Sequence, residues 1–147
     1  MAKALDVAKY MIIRAMKDDD PITNMKVQKL CYYALGVYSK LYSGKKLFEE
    51  DIEAWQHGPV VREVYKEYAR RVNAITIPDD YSDLRLNEYE KKAVDITYTY
   101  FSQYSAWRLR EMTHAESPWK RNYEENKKNL IPFEDIRVFF DKSITIN

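Results

Sequence analysis

Cysteine, glycine and any excess of charge are what this chain has least of. One cysteine, Cys31, in 147 residues excludes an intramolecular disulfide framework and a zinc site built from several thiolates. Three glycines form neither a GxGxxG nor a GxxxxGK run, so no glycine-rich loop cradles phosphate. Lysine and arginine total 24 against 23 aspartate and glutamate, a formal net charge of +1. No overall field marks the chain as a binder of nucleic acid or anionic membrane. The longest stretch without charge runs from Ile96 to Trp107, short of the ~18 residues a membrane-spanning helix needs. Lys3, Asp6, Lys9, Arg14 and Lys17 interrupt the segment from Met1 to Lys17. No signal-peptide core is expected there, and the cytoplasm is the expected compartment.

Aromatic residues are what the chain has instead: 13 Tyr, 3 Trp and 5 Phe, 14% of the sequence. Tyrosine joins a rigid apolar body to a polar tip, which suits cores and protein interfaces alike. A chain of this length can bury a sufficient core unaided, and residues 1–147 are read as one domain.

Its periodicity is helical almost throughout. Ala4, Leu5, Ala8, Met11, Ile12, Ala15 and Met16 form one apolar stripe, interrupted by Asp18-Asp19-Asp20-Pro21. Thr23 is placed to cap a second helix carrying Val27, Leu30, Cys31, Ala34, Tyr38 and Leu41, with Gly44 at a left-handed C-cap. Gly36 inside that helix implies close approach of a neighbouring element. Ile52, Ala54 and Gln56 alternate with polar residues, a strand pattern that ends at His57-Gly58-Pro59. Pro59 is expected in the first turn of a helix whose inner face is Val61, Val64, Tyr65, Tyr68 and Val72. Ile75 to Pro78 is a candidate second strand. Asn87 is positioned to cap a helix bearing Ala93, Ile96, Tyr100 and Tyr104. Trp107 to Met112 either continues that helix or begins another. Ser117-Pro118 and Ile131-Pro132 mark two more helix starts, the last helix striped by Phe133, Ile136, Phe140 and Ile144. The expectation is one compact, mainly α domain of about six helices, with a short two-stranded β element around 52–56 and 74–78.

Little in the chain has the spacing of a catalytic site. His57, His114 and Glu116 offer a zinc ligand set in residue type, but nothing local fixes their separation. The alternative is that each histidine satisfies backbone groups at a turn. Cys31 lies on an apolar stripe, where a thiol is usually an inert small hydrophobe. No serine stands in a GxSxG elbow, and the acidic runs lack EF-hand spacing. No catalysis, metal or cofactor is expected. Arg62, Lys66, Arg70 and Arg71, and further along Arg108, Arg110, Lys120, Arg121, Lys127 and Lys128, form basic clusters with Trp107, Trp119 and Tyr123 among them. Glutamates such as Glu63, Glu67, Glu111 and Glu124 interleave with them, as on an ordinary solvated helix face.

Three strings in this sequence resemble the Panacea domain, a helical antitoxin family that includes SocA-like proteins and many phage-encoded genetic-element proteins. Met25 to Gly36 is similar to the family's K-L-Q-K-L-L-Y-Y-A-Q-G helix, with Gln28, Lys29, Tyr32 and Tyr33 among the matches and departures at Val27, Cys31 and Leu35. Phe48 to Tyr65 resembles an F-x-x-x-I-E-A-W-x-x-G-P-V-V-x-x-V-Y block through Ile52, Glu53, Ala54, Trp55, Gly58, Pro59, Val60, Val61, Val64 and Tyr65, with Arg62 where proline is common. Thr113, His114, Pro118 and Trp119 resemble a shorter third motif. Together the strings reach from Met25 to Trp119.

The resemblance implies an antitoxin that neutralises a co-encoded protein toxin by direct contact, and in the SocA-like branch an adaptor that can deliver the toxin to a protease. The toxins of such a family have unrelated chemistry, so the motifs do not name one. Two other readings use the same domain: a phage or mobile-element protein aimed at a host factor, and a DNA-binding autoregulator. A homodimer stays open.

Trp55, His57, Gly58 and Pro59 are read as a tight turn leading into a helix over Val60 to Arg71. Thr113, His114, Pro118 and Trp119 form a matching turn, so the two together make either a structural corner or the floor of a groove. Tyr38, Tyr65, Tyr68, Tyr100 and Tyr104 fit apolar stripes and are expected in the core. Tyr42, Tyr81, Tyr98 and Tyr123 have no packing reason in the pattern and are the candidate partner contacts.

Overall fold

A computed structural model describes residues 1–146. In chain order they form α1 (Ala4–Lys17), α2 (Asn24–Leu41), β1 (Ile52–Trp55), β2 (Gly58–Val60), α3 (Arg62–Tyr68), α4 (Glu88–Phe101), α5 (Ala106–His114), α6 (Ser117–Asn122), β3 (Asn129–Ile131) and α7 (Phe133–Ser143). The chain is mainly α, as its periodicity predicts, with seven helices among the described residues rather than about six.

A helix that is covered on all sides belongs at the centre of a fold. α2 is that helix, buried without a break from Val27 to Val37. The Thr23 hydroxyl accepts from the Lys26 N–H at 3.2 Å and caps its start. After its end Gly44 turns the chain at φ +79° and donates its N–H to the Ser39 carbonyl at 2.8 Å. Around α2 pack α1, α4, α5 and α7. A Cβ on Gly36 would collide with the Phe140 ring of α7, so glycine is what lets α7 lie against α2. α1 is tied down at its start: Ala4 donates its N–H to the Glu50 carboxylate at 3.0 Å, which satisfies an otherwise orphan donor. Asn87 and Glu90 form a reciprocal capping box at α4, both bonds at 2.8 Å.

The small sheet runs in the order β2-β1-β3, all antiparallel. β1 lies where the alternation of Ile52 and Ala54 predicts it, but its partners are not residues 74–78. β2 pairs Gly58 with Trp55, and β3 pairs Ile131 with Ile52, so both edges of β1 are occupied. Ile75 is instead a plug: its side chain is fully buried and its N–H is donated to the Ile22 carbonyl at 2.8 Å.

Three other expectations are corrected and one open alternative is decided. Pro59 belongs to β2, an edge strand where a missing donor is tolerated, and α3 begins only at Arg62. α3 ends at Tyr68, leaving Val72 93% exposed, and within it Tyr65 lies on the outer side, 39% exposed. α4 buries Ala93, Val94, Thr97, Tyr98 and Phe101, a face rotated from the expected stripe, because the Phe101 ring stacks on Tyr33 at 4.0 Å; Tyr100 is left outside. α5 is a separate helix, started where Ser105 accepts from the Arg108 N–H at 3.0 Å. α6 starts at Ser117 as expected, with the cap position on Glu116.

Candidate functional site

Gln28, Lys29, Tyr32 and Tyr33 are spaced so that Gln28 lies one turn from Tyr32 and Lys29 one turn from Tyr33, and all four are buried. Buried polar groups must find partners, and these four find theirs in the segments carrying the other two motifs. Gln28 accepts from the Val61 N–H at 2.9 Å through Oε1, and Lys29 donates to the Pro59 carbonyl at 3.2 Å. Tyr32 and Tyr33 each donate a hydroxyl to one oxygen of Glu116, at 2.9 and 2.8 Å. Burial pushes the Glu116 carboxyl up to about 7, against the two tyrosine bonds that pull it down. Burial likewise pushes the Lys29 ammonium down to about 7, helped by the nearby Arg110 charge. Both phenols are driven well above their ordinary range, first by burial and then by the Glu116 charge.

The turn between β1 and β2 closes with Gly58 at φ +114°, a conformation that L side chains rarely adopt. A Cβ there would stand 2.7 Å from Lys29 Cε and 2.9 Å from Thr113 Oγ1. The second and third motifs therefore pack directly together over Lys29. Thr113 satisfies its own hydroxyl on the Arg110 carbonyl at 2.8 Å. Trp119 donates its indole N–H to the Trp55 carbonyl at 2.7 Å. His114 stacks on Trp119 at 3.8 Å between ring centres, and Tyr123 stacks on Trp119 at 4.5 Å. Burial lowers the His114 imidazole from its usual value, with the Arg110 charge acting in the same direction. His57 is exposed, and its Nδ1 accepts from Arg110 Nε at 3.1 Å.

Trp55 forms the outer face of this corner. Its indole N–H is donated to Glu53 at 2.9 Å, and Arg62 donates to both Glu53 oxygens at 2.8 and 3.1 Å. Tyr65 meets the Trp55 ring edge-on at 4.8 Å, and the Lys128 ammonium lies 4.3 Å from the ring centre. Beside Trp55 opens a groove of about 670 Å³, lined by Lys29, His57, Tyr65, Tyr123 and Lys128 among others. The two turns pack together as a corner, and of their motif residues only Trp55 and His57 line the groove.

The zinc set suggested by residue type does not assemble: Glu116 is held by two tyrosines and His57 by Arg110. Cys31 is fully buried, and its thiol is pushed up to about 12, first by burial and then by the Glu50 charge. Within the basic clusters, Arg62 and Arg121 are spent on Glu53 and Asp135.

The tyrosine assignments change. Tyr98 is buried, so it is no surface contact. Tyr81 packs on Tyr10 at 5.3 Å, and Tyr42 sits between Tyr38 and Tyr89 at 4.8 and 5.6 Å. Each of Tyr42, Tyr81 and Tyr123 is half-buried. Tyr68 is core as expected, whereas Tyr38 and Tyr104 are half-buried, and Tyr65 and Tyr100 are exposed. Glu116 and Arg110 do more than the sequence suggested. Their signal was position alone, Glu116 inside the third motif and Arg110 one turn before His114.

Residues 27–120 match the family model described as antitoxin SocA-like, Panacea domain. No curated protein and no solved structure matches the chain. The matched stretch contains α2 from Val27 onward, the β1–β2 hairpin and α3 to α5, and so the motif residues from Gln28 to Trp119.

Proposed function

Because this chain belongs to the SocA-like antitoxin family with a Panacea domain, we propose that it neutralises a co-encoded protein toxin by binding it directly. The observation that carries this reading is the family match itself, since residues 27–120 take in the second and third motifs, the first from Val27 onward, and the corner they build. The arrangement of side chains is in keeping with it. The buried members of the motifs are engaged in holding segments together, and the outer face presents Trp55, Tyr65 and Arg62. Aromatic and arginine side chains of this kind anchor protein interfaces. A second such group is exposed at α5, where the Arg110 guanidinium lies 4.5 Å from the Trp107 ring centre. The half-buried Tyr42, Tyr81 and Tyr123 add edges that a partner can cover. The chain acts in the cytoplasm, where such a toxin is made.

Co-expression with the adjoining open reading frame tests this. The neighbouring product should arrest growth alone, and this chain should restore growth and co-purify with it. Restored growth with loss of the toxin from the cell identifies a protease adaptor. If the neighbour is harmless and a host protein is the sole stoichiometric partner, the toxin reading is replaced by a host-factor one.

A further inference from the structure

The groove beside Trp55 is lined by a buried amine for which the chain itself supplies no counter-ion among the described residues. Lys29 is 1% exposed, lines the groove and donates to one acceptor, the Pro59 carbonyl. An ammonium carries three donors, and a buried charge is costly unless paired. Among the described residues neither Lys29 nor Lys128 lies in an ion pair. The nearby acids are committed elsewhere: Glu116 to Tyr32 and Tyr33, Glu53 to Arg62 and Trp55, and Glu124 to Lys127. The first residues of α2, Asn24 and Met25, also line the groove and add the positive end of an 18-residue helix. Glu125 alone among the lining residues is acidic, and it is exposed.

We propose that this groove is a carboxylate-binding site, in which Lys29 at the floor and Lys128 at the rim hold an Asp or Glu side chain from an acidic segment of the protein partner. The inference rests on the reading of the chain as a toxin-binding protein. Trp55 and Tyr65 give the wall an apolar surface for the residue beside the carboxylate, and about 670 Å³ accommodates a few side chains. A single desolvated amine is a point donor matched to one carboxylate oxygen, and the groove residues include no arginine fork of the kind that holds a phosphate by two bonds.

The test uses the full chain and a terminally blocked Gly-Leu-Asp-Leu-Gly peptide, compared with its Asn counterpart. NMR follows the Trp55 indole and the Lys29 ε-methylene. The Asp peptide should shift both signals and bind about tenfold more tightly than the Asn peptide. Lys128→Ala should weaken the Asp peptide about threefold, and Lys29→Gln should abolish the preference for Asp over Asn. Free acetate should move the Lys29 signal but not the Trp55 indole, which separates a small anion from a peptide. Equal binding of the two peptides, binding of neither, or tighter binding of inorganic phosphate would overturn the proposal. If Lys29→Gln does not fold, the peptide comparison and Lys128→Ala decide. A chain that rescues growth in co-expression yet ignores the Asp peptide refutes the groove and leaves the antitoxin reading standing.

Discussion

Trp119 and Trp55 are 64 positions apart, yet the Trp119 indole N–H is donated to the Trp55 carbonyl at 2.7 Å. That bond fastens α6 to the end of β1 and keeps the His114 and Tyr123 rings stacked on either side of their shared neighbour. Trp119→Phe removes the donor and leaves a carbonyl short of a partner. The expected cost is ~1–3 kcal/mol, read from the urea midpoint with an unchanged slope.

Glu116 is the meeting point of two tyrosines, and removing either donor leaves a partly buried carboxylate less satisfied. Tyr32→Phe and Tyr33→Phe should each destabilise by about 1–3 kcal/mol above pH 7, where Glu116 is charged, and by less below it. In combination with Glu116→Gln the losses should not add, because the three side chains form one network. A double-mutant cycle measured by denaturant unfolding gives the coupling.

Lys29 and Glu116 carry opposite pH signatures. Burial pushes Glu116 up to about 7 in the folded chain from an ordinary 4.5, so the folded state holds the extra proton in between and stability falls as pH rises from about 4.5 to 7. Lys29 also titrates near 7 but against 10.5, so the unfolded state holds the extra proton and stability rises with pH from about 7 to 10.5. Each limb has a slope on the order of 1 kcal/mol per pH unit. Glu116→Gln should flatten the acid limb alone and Lys29→Gln the alkaline limb alone, as read by thermal or urea unfolding across pH.

Gly36 and Phe140 set the distance between α2 and α7. Gly36→Ala pushes a methyl group into the ring and should cost about 1–3 kcal/mol. Combining it with Phe140→Leu should recover part of that loss relative to the sum of the single changes, as measured by differential scanning calorimetry. Gly58→Ala meets both a left-handed backbone and the Lys29 and Thr113 side chains, so no neighbouring substitution should rescue it fully.

What could be read from the chain depended on how local its cause was. Thr23 and Asn87 announce their helices because a cap is a contact within one turn. β3 has no local signal because Asn129 to Ile131 is strand only by pairing with Ile52 to Ala54, far away in the chain. Ile75 to Pro78 reads as a strand, but both edges of β1 are already filled. The buried face of α4 departs from the local stripe because Phe101 and Tyr98 outweigh Tyr100 with Tyr33 opposite. Within the site, the motifs located Gln28, Lys29, Tyr32 and Tyr33. The clamp on Glu116 joins residues more than 80 positions apart, and no periodicity reports such a contact.

Calorimetric titration of the purified chain into the purified product of the adjoining gene tests direct neutralisation most plainly. The account predicts saturable binding, with the product's toxic activity disappearing over the same molar range. Absence of binding, or binding that leaves that activity intact, would contradict it.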